Sequence, residues 1–200
     1  MNNRQRITVL TCAIVFSLVS VVWAVTSPTG QLKPTLQSII DVIIDDSFKG
    51  EGRKNVRRQK IMAHVDKGFD FEEMSRRVLG RTWLDLSAVD QGRFIEQFTK
   101  LLENVYIGKL EAYGGEQIQY LDEKIKGDRA MVTTIVPGQT KGLPVNYIMI
   151  DKGGDWMVYD LKIEGIGLIK NYREQFKSIL KRNDFQGLIK ELEKKNKSFQ

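Results

Sequence analysis

Near residue 117 the apolar residues of this chain stop recurring at helical spacing and begin to alternate. That change of period sets helices apart from a run of strands, which is the pattern of an α+β fold and not of alternating βαβ units. Upstream, Pro34 opens a stripe of Leu36, Ile39, Ile40, Ile43 and Ile44 that Gly50 and Gly52 end. A second helix is expected over Val56 to Val65 and a third from Phe71, after a break at Gly68-Phe69-Asp70. Ser87-Ala88-Val89-Asp90 resembles a capping box, and Phe94, Phe98, Leu101, Leu102 and Val105 mark one face of the long helix behind it. Downstream, Gln117 to Asp122, Arg129 to Val136, Leu143 to Asp151 and Trp156 to Ile163 read as four strands. Gly127-Asp128, Pro137 to Gly142 and Lys152-Gly153-Gly154 are turns short enough to join antiparallel neighbours. Two closing helices carry Ile169, Tyr172, Phe176 and Ile179, then Phe185, Leu188, Ile189 and Leu192. The expected fold is therefore a four-stranded antiparallel meander packed against a cluster of helices.

The third strand adds a detail. Val145, Tyr147 and Met149 face one way, yet Ile148 and Ile150 on the other face are apolar too. A sheet with one wet side would alternate more cleanly. Helices on both sides, or an internal cavity on one side, each account for it.

The first residues read as a leader. Arg4 and Arg6 precede an apolar run from Ile7 to Val22, and Val22-Trp23-Ala24 offers a cleavage site. Residues 1–24 are expected to be a signal peptide, 25–33 a linker, 34–195 the folded domain and 196–200 a disordered tail. The alternative is an uncleaved inner-membrane anchor, since Ile7 to Val25 is just long enough to span a bilayer. Cys12 is the only cysteine, so the remainder must hold itself together by packing alone. Removing the leader leaves 29 basic against 25 acidic residues. That modest excess is spread along the chain and does not gather into a nucleic-acid-binding face. The one dense basic run, Arg53 to Lys60, reads as a solvated helix face, with anionic headgroups or an acidic partner as the alternative.

Catalytic patterns fail on inspection. His64 is the only histidine, too few for a multi-histidine metal site. There is no Gly-x-Ser-x-Gly elbow. Gly165-Ile166-Gly167 starts like a dinucleotide fingerprint, but Lys170 stands where the last glycine belongs and the preceding strand is antiparallel. Asp151 to Asp155 is a hairpin turn, too short for a calcium loop. No catalytic residue, metal or cofactor is expected.

Asp155-Trp156-Met157-Val158-Tyr159-Asp160-Leu161-Lys162-Ile163-Glu164-Gly165, followed by Asn171-Tyr172-Arg173-Glu174-Gln175-Phe176, resembles the terminal signature of the Mla-type (toluene-tolerance, MlaC-type) periplasmic phospholipid-binding proteins. Phe69-Asp70-Phe71 with Met74-Ser75, Val78-Leu79-Gly80 and Trp83 forms a second block, and the helix with Phe94, Phe98, Leu101 and Tyr106 a third. The likeness covers Pro34 to Lys195. One departure is Gly167, where the family often has serine. The resemblance implies a monomeric, non-enzymatic periplasmic carrier that holds a glycerophospholipid in an apolar cavity between sheet and helices. It further implies exchange with an inner-membrane ABC transporter complex containing an MCE-domain ring, and with an outer-membrane lipoprotein complex. Phe98, Tyr106, Leu110, Tyr147, Met149, Tyr159 and Ile163 are the expected lipid-lining residues, with ordinary core as the alternative for each. Trp156, Tyr172 and Phe176 are expected to lock the last strand to the last helices. Two other readings stay open: a membrane-anchored interaction module with a solid core, and an enzyme on a similar scaffold, for which Asp160 is the best inward polar candidate.

Overall fold

The computed structural model describes residues 27–137 and 142–199. The expected signal segment, residues 1–24, and the tip of the turn expected over Pro137 to Gly142 lie outside them. Among the described residues, six α-helices pack with a five-stranded antiparallel sheet.

The first helix, α1 (Pro28–Ile44), starts six residues before Pro34. Ser27 accepts from Gly30 N at 3.0 Å, and Pro28 takes the first helical position, where a missing N–H does no harm. Most of the expected linker is therefore helix. Pro34 lies inside α1, not at its start. Helix α2 (Lys54–Gly68) packs on α1, and a Cβ on Gly68 would stand 2.6 Å from Thr35 Cγ2. Only glycine permits that approach.

Helix α3 (Phe71–Leu79) is anchored by buried charge. Asp70 accepts from Glu73 N at 3.0 Å as its cap, while Asp70 N donates to Val158 O at 2.8 Å. The buried Glu73 carboxylate receives Arg76 Nε, Arg76 Nη2 and Arg77 Nε, each at 2.7 Å. A carboxylate this buried is tolerable because two guanidiniums satisfy it.

Helix α4 (Ala88–Glu111) begins where the capping pattern predicted. Ser87 Oγ accepts from Asp90 N at 3.1 Å and donates to Asp90 Oδ2 at 2.8 Å. Ser87→Ala is expected to cost about 1 kcal/mol. The check is a lower urea midpoint at an unchanged slope; an unmoved midpoint would contradict this role.

The strands are β1 (Gln119–Lys126), β2 (Arg129–Val136), β3 (Leu143–Asp151), β4 (Trp156–Ile163) and β5 (Ile166–Gly167), paired in chain order. The last was not expected. Glu164 (φ 51°) and Gly165 (φ 81°) make the two-residue turn that folds it back, a geometry matching the twist of adjacent strands. Across the inner face the register sets side chains in rows: Val136–Leu143, Thr134–Val145–Ile163, Val132–Tyr147–Leu161 and Ala130–Met149–Val158. On the outer face Ile148 and Ile150 are half-buried.

Helices α5 (Leu168–Arg182) and α6 (Phe185–Lys197) close the fold. Phe98 of α4 lies 5.2 Å from Tyr172 and 5.7 Å from Phe176 of α5, both edge-on, and 5.6 Å from the stacked Phe94. The expected lock thus joins α5 to α4. Trp156 takes no part in this cluster; its backbone N–H donates to Gln31 of α1 at 2.7 Å. The tail also departs from expectation. Asn196 is buried and donates to Gln97 O at 3.0 Å, so α6 stays folded through Lys197, where lysine-rich composition suggested disorder.

Candidate functional site

Between the inner face of the sheet and helices α1 to α4 lies a cavity of about 270 Å³. Leu36, Ile39, Ile40 and Ile43, the α1 stripe, form one wall. Met62 and Val65 of α2 cover it, with Phe69, Phe71 and Met74 beside them. The α4 wall is Leu102, Tyr106, Ile107 and Leu110. The floor is the sheet: Val136, Leu143, Val145, Tyr147, Leu161 and Ile163. Every floor residue belongs to the first three inner rows. The fourth row, Ala130–Met149–Val158, is solid core, which closes the cavity at that end.

This placement sorts the seven residues expected to line a ligand. Tyr106, Leu110, Tyr147 and Ile163 border the cavity together. Phe98, Met149 and Tyr159 do not, and each has a physical reason. Phe98 sits one turn before the first α4 residue that reaches the cavity, and its ring fills the α4–α5 stack. Met149 faces inward as its alternation requires, but from the solid row. At Tyr159 the β3–β4 register slips, since Ile148 pairs with Asp160 and Met149 with Val158. That bulge takes Tyr159 out of the pairing, and the Arg77 guanidinium lies 4.0 Å over its ring. The residues missed were chiefly the α1 stripe and Val145, Leu143 and Leu161. The helical spacing of the stripe showed that it was buried, not what it faced.

The cavity's chemistry is nearly neutral. Its two charged border residues are Glu103 and Lys109. Glu103 is bound by Arg58, which also reaches Asn104, while Arg57 Nη2 holds Glu111 at 2.9 Å. Part of the basic run expected to be a solvated face therefore straps α2 to α4. Among the described residues Lys109 is the one exposed member of the border, which marks a mouth beside the end of α4. Burial raises the Tyr106, Tyr113 and Tyr147 phenols above their ordinary pKa, keeping all three uncharged. Such a space can shelter hydrocarbon and offers no converging acid, base and nucleophile.

Asp160, the inward polar candidate, points elsewhere. It accepts from Leu161 N at 2.8 Å and from Ile169 N at 3.0 Å, capping α5 where Gly167 has no side chain to offer. Burial raises its pKa, opposed by those two donors and by Lys162 and Arg77. A carboxyl raised on folding stabilises most below its unfolded pKa and loses that contribution as pH rises through the folded value. Asp160→Asn keeps the acceptor and removes the charge. Its urea midpoint, relative to the parent, is therefore expected to rise from about pH 4 to pH 7; a falling difference would contradict the sign.

Comparison with known proteins adds an independent line. Residues 33–194 match the family described as MlaC protein. The chain is 24% identical over 146 residues to the intermembrane phospholipid transport system binding protein MlaC of Haemophilus influenzae, covering 70% of this chain and 66% of that protein. It is 30% identical over 97 residues to the toluene tolerance protein ttg2D of Pseudomonas putida, covering 44% and 45%. The match thus spans just under two thirds of the first relative and less than half of the second. A phospholipid-binding protein of Ralstonia solanacearum, solved in complex with a phospholipid, shares the fold with a TM-score of 0.76 at 22% identity, over 86% of this chain and 98% of that one.

Proposed function

The chain belongs to the MlaC family, and from that membership we propose that it is a non-enzymatic carrier that holds a glycerophospholipid by its acyl chains and moves it between membranes. The observation that carries this reading is the cavity, which is bordered by aliphatic and aromatic side chains from helices α1 to α5 and strands β2 to β4. Two acyl chains of about 30 methylenes, at about 0.8 kcal/mol each, gain about 25 kcal/mol by leaving water. A bilayer offers the same shelter, so carrier and membrane nearly balance and free lipid is never the competing state. Transfer then requires a partner that supplies a sheltered route. At about 270 Å³ the cavity lies just below the usual pocket range of about 300–1,000 Å³, so two whole chains require its walls to part.

The partners proposed are an inner-membrane ABC complex with an MCE-domain ring and an outer-membrane lipoprotein complex, with the periplasm as the compartment and residues 1–24 as the export signal. Among the described residues, no helix is long and apolar enough to cross a membrane. The cavity residues Tyr106, Leu110, Tyr147 and Ile163 are assigned to the acyl chains. Mixing the delipidated chain with vesicles of radiolabelled phosphatidylglycerol or phosphatidylethanolamine, then separating the two by gel filtration, tests the reading. Label eluting with the protein is the expected result. A chain that takes up neither lipid, even with its membrane partners present, would leave an interaction module with no ligand.

A further inference from the structure

We propose that a second concavity, bounded by α4, α5 and α6, is a docking groove for an acidic amphipathic helix of a partner protein. The groove has a volume of about 620 Å³ and shares no bordering residue with the cavity. Its floor is apolar: Leu101 and Val105 of α4, Tyr172, Phe176 and Ile179 of α5, and Leu192 of α6. The spacings i, i+4 and i, i+4, i+7 on α4 and α5 make two apolar ridges of the kind between which an apolar helix stripe fits. The walls are braced. Asn196 ties α6 to Gln97 of α4, Arg93 Nη2 meets Glu193 at 2.7 Å, and the ring stack holds α5 to α4.

Charge specifies the occupant. Residues 168–200 carry nine basic and four acidic side chains, whereas residues 27–167 carry 20 and 21. The excess positive charge beyond residue 26 thus lies entirely on the two helices that flank the groove. Among the described residues none of those nine cations is ion-paired, although arginines of α2, α3 and α4 are. Lys194 and Lys195 stand on the rim, and Glu191, the acidic rim residue, is engaged by Asn183 Nδ2 at 3.1 Å. Unpaired cations around an apolar floor attract a negatively charged partner and fix its register. A concave surface favours a convex helix over a flat bilayer, which would meet the rim lysines but not the half-buried Val105 and Ile179.

The test is a selection on the full chain from a displayed library of helices of about 16 residues, close to the 15-residue α5 in length. Leucine occupies i, i+3, i+4 and i+7, with glutamate or lysine free elsewhere. The counter-targets are Lys194→Glu/Lys195→Glu and Gln175→Trp, at exposed positions that leave the core untouched. The expected result is enrichment of glutamate-rich helices that bind each counter-target about tenfold or more weakly and weaken with salt. Enrichment without acidic bias, or equal binding to the counter-targets, overturns the proposal. So does recovery of no helix, and binding of phosphatidylglycerol but not phosphatidylcholine vesicles through Lys194 and Lys195 would then make the face a membrane contact. Lipid content of these variants stays at the parent level in every case, which separates this result from the fate of the carrier reading.

Discussion

Ile163→Glu is expected to give a folded protein that no longer retains phospholipid. Ile163 is half-buried at the edge of β4 and borders the cavity, so the new carboxylate can reach water in the empty protein. Acyl chains would strip that water away. Burial against hydrocarbon raises a carboxyl pKa by about 3 units, from about 4 to about 7, so affinity near neutral pH falls about three-hundredfold before protonation caps the loss. Lowering the pH protonates the group and should restore part of the loss. Ile166→Glu provides the control: it adds the same charge three residues away, at a side chain 68% exposed and outside the cavity. Lipid extracted per mole of protein is the readout. A folded Ile163→Glu protein with parental lipid content would place the ligand elsewhere.

Phe98→Ala should do the reverse, costing stability while sparing lipid. The ring is fully buried among Phe94, Tyr172 and Phe176 and touches no cavity space. Truncating a buried phenylalanine costs about 3–5 kcal/mol, or about 10 °C in Tm at this chain length. Phe98→Leu, a milder truncation, keeps the comparison usable if the alanine variant does not accumulate. At temperatures where either variant is folded, its lipid content should equal the parent's. Loss of lipid without loss of stability would return Phe98 to the ligand site.

Those two residues illustrate how much of the molecule could be read from its chain. Period, with glycine turns at Gly127 and Gly153-Gly154 to bound it, located β2, β3 and β4 to the residue. Period also gave the inward faces, but a face is not a depth. Tyr147 and Met149 alternate identically, yet only the row holding Tyr147 opens to the cavity. Phe98 and Tyr106 lie on one helix, but the packing partner changes from α5 to the cavity along its length. Tyr159 was lost to a bulge, which no alternation pattern announces. The expected linker and tail differ from the structure for another reason. A capped helix start at Ser27 and a buried Asn196 are decided by single hydrogen bonds, and composition is blind to these.

Helix α4 gathers these strands of the account. Leu102, Tyr106 and Leu110 face the cavity while Leu101 and Val105 face the groove, so one helix wall separates the proposed lipid from the proposed partner. Two ion pairs strap α2 to that wall, and α2 supplies Met62 and Val65 to the cavity cover.

The most direct test of the carrier reading is native mass spectrometry of the protein purified from cells without added lipid, with organic extraction of what accompanies it. The account predicts a phospholipid near one per chain, retained by Ile166→Glu and absent from Ile163→Glu. A bare parent protein, still bare after incubation with vesicles and the proposed membrane partners, would contradict it.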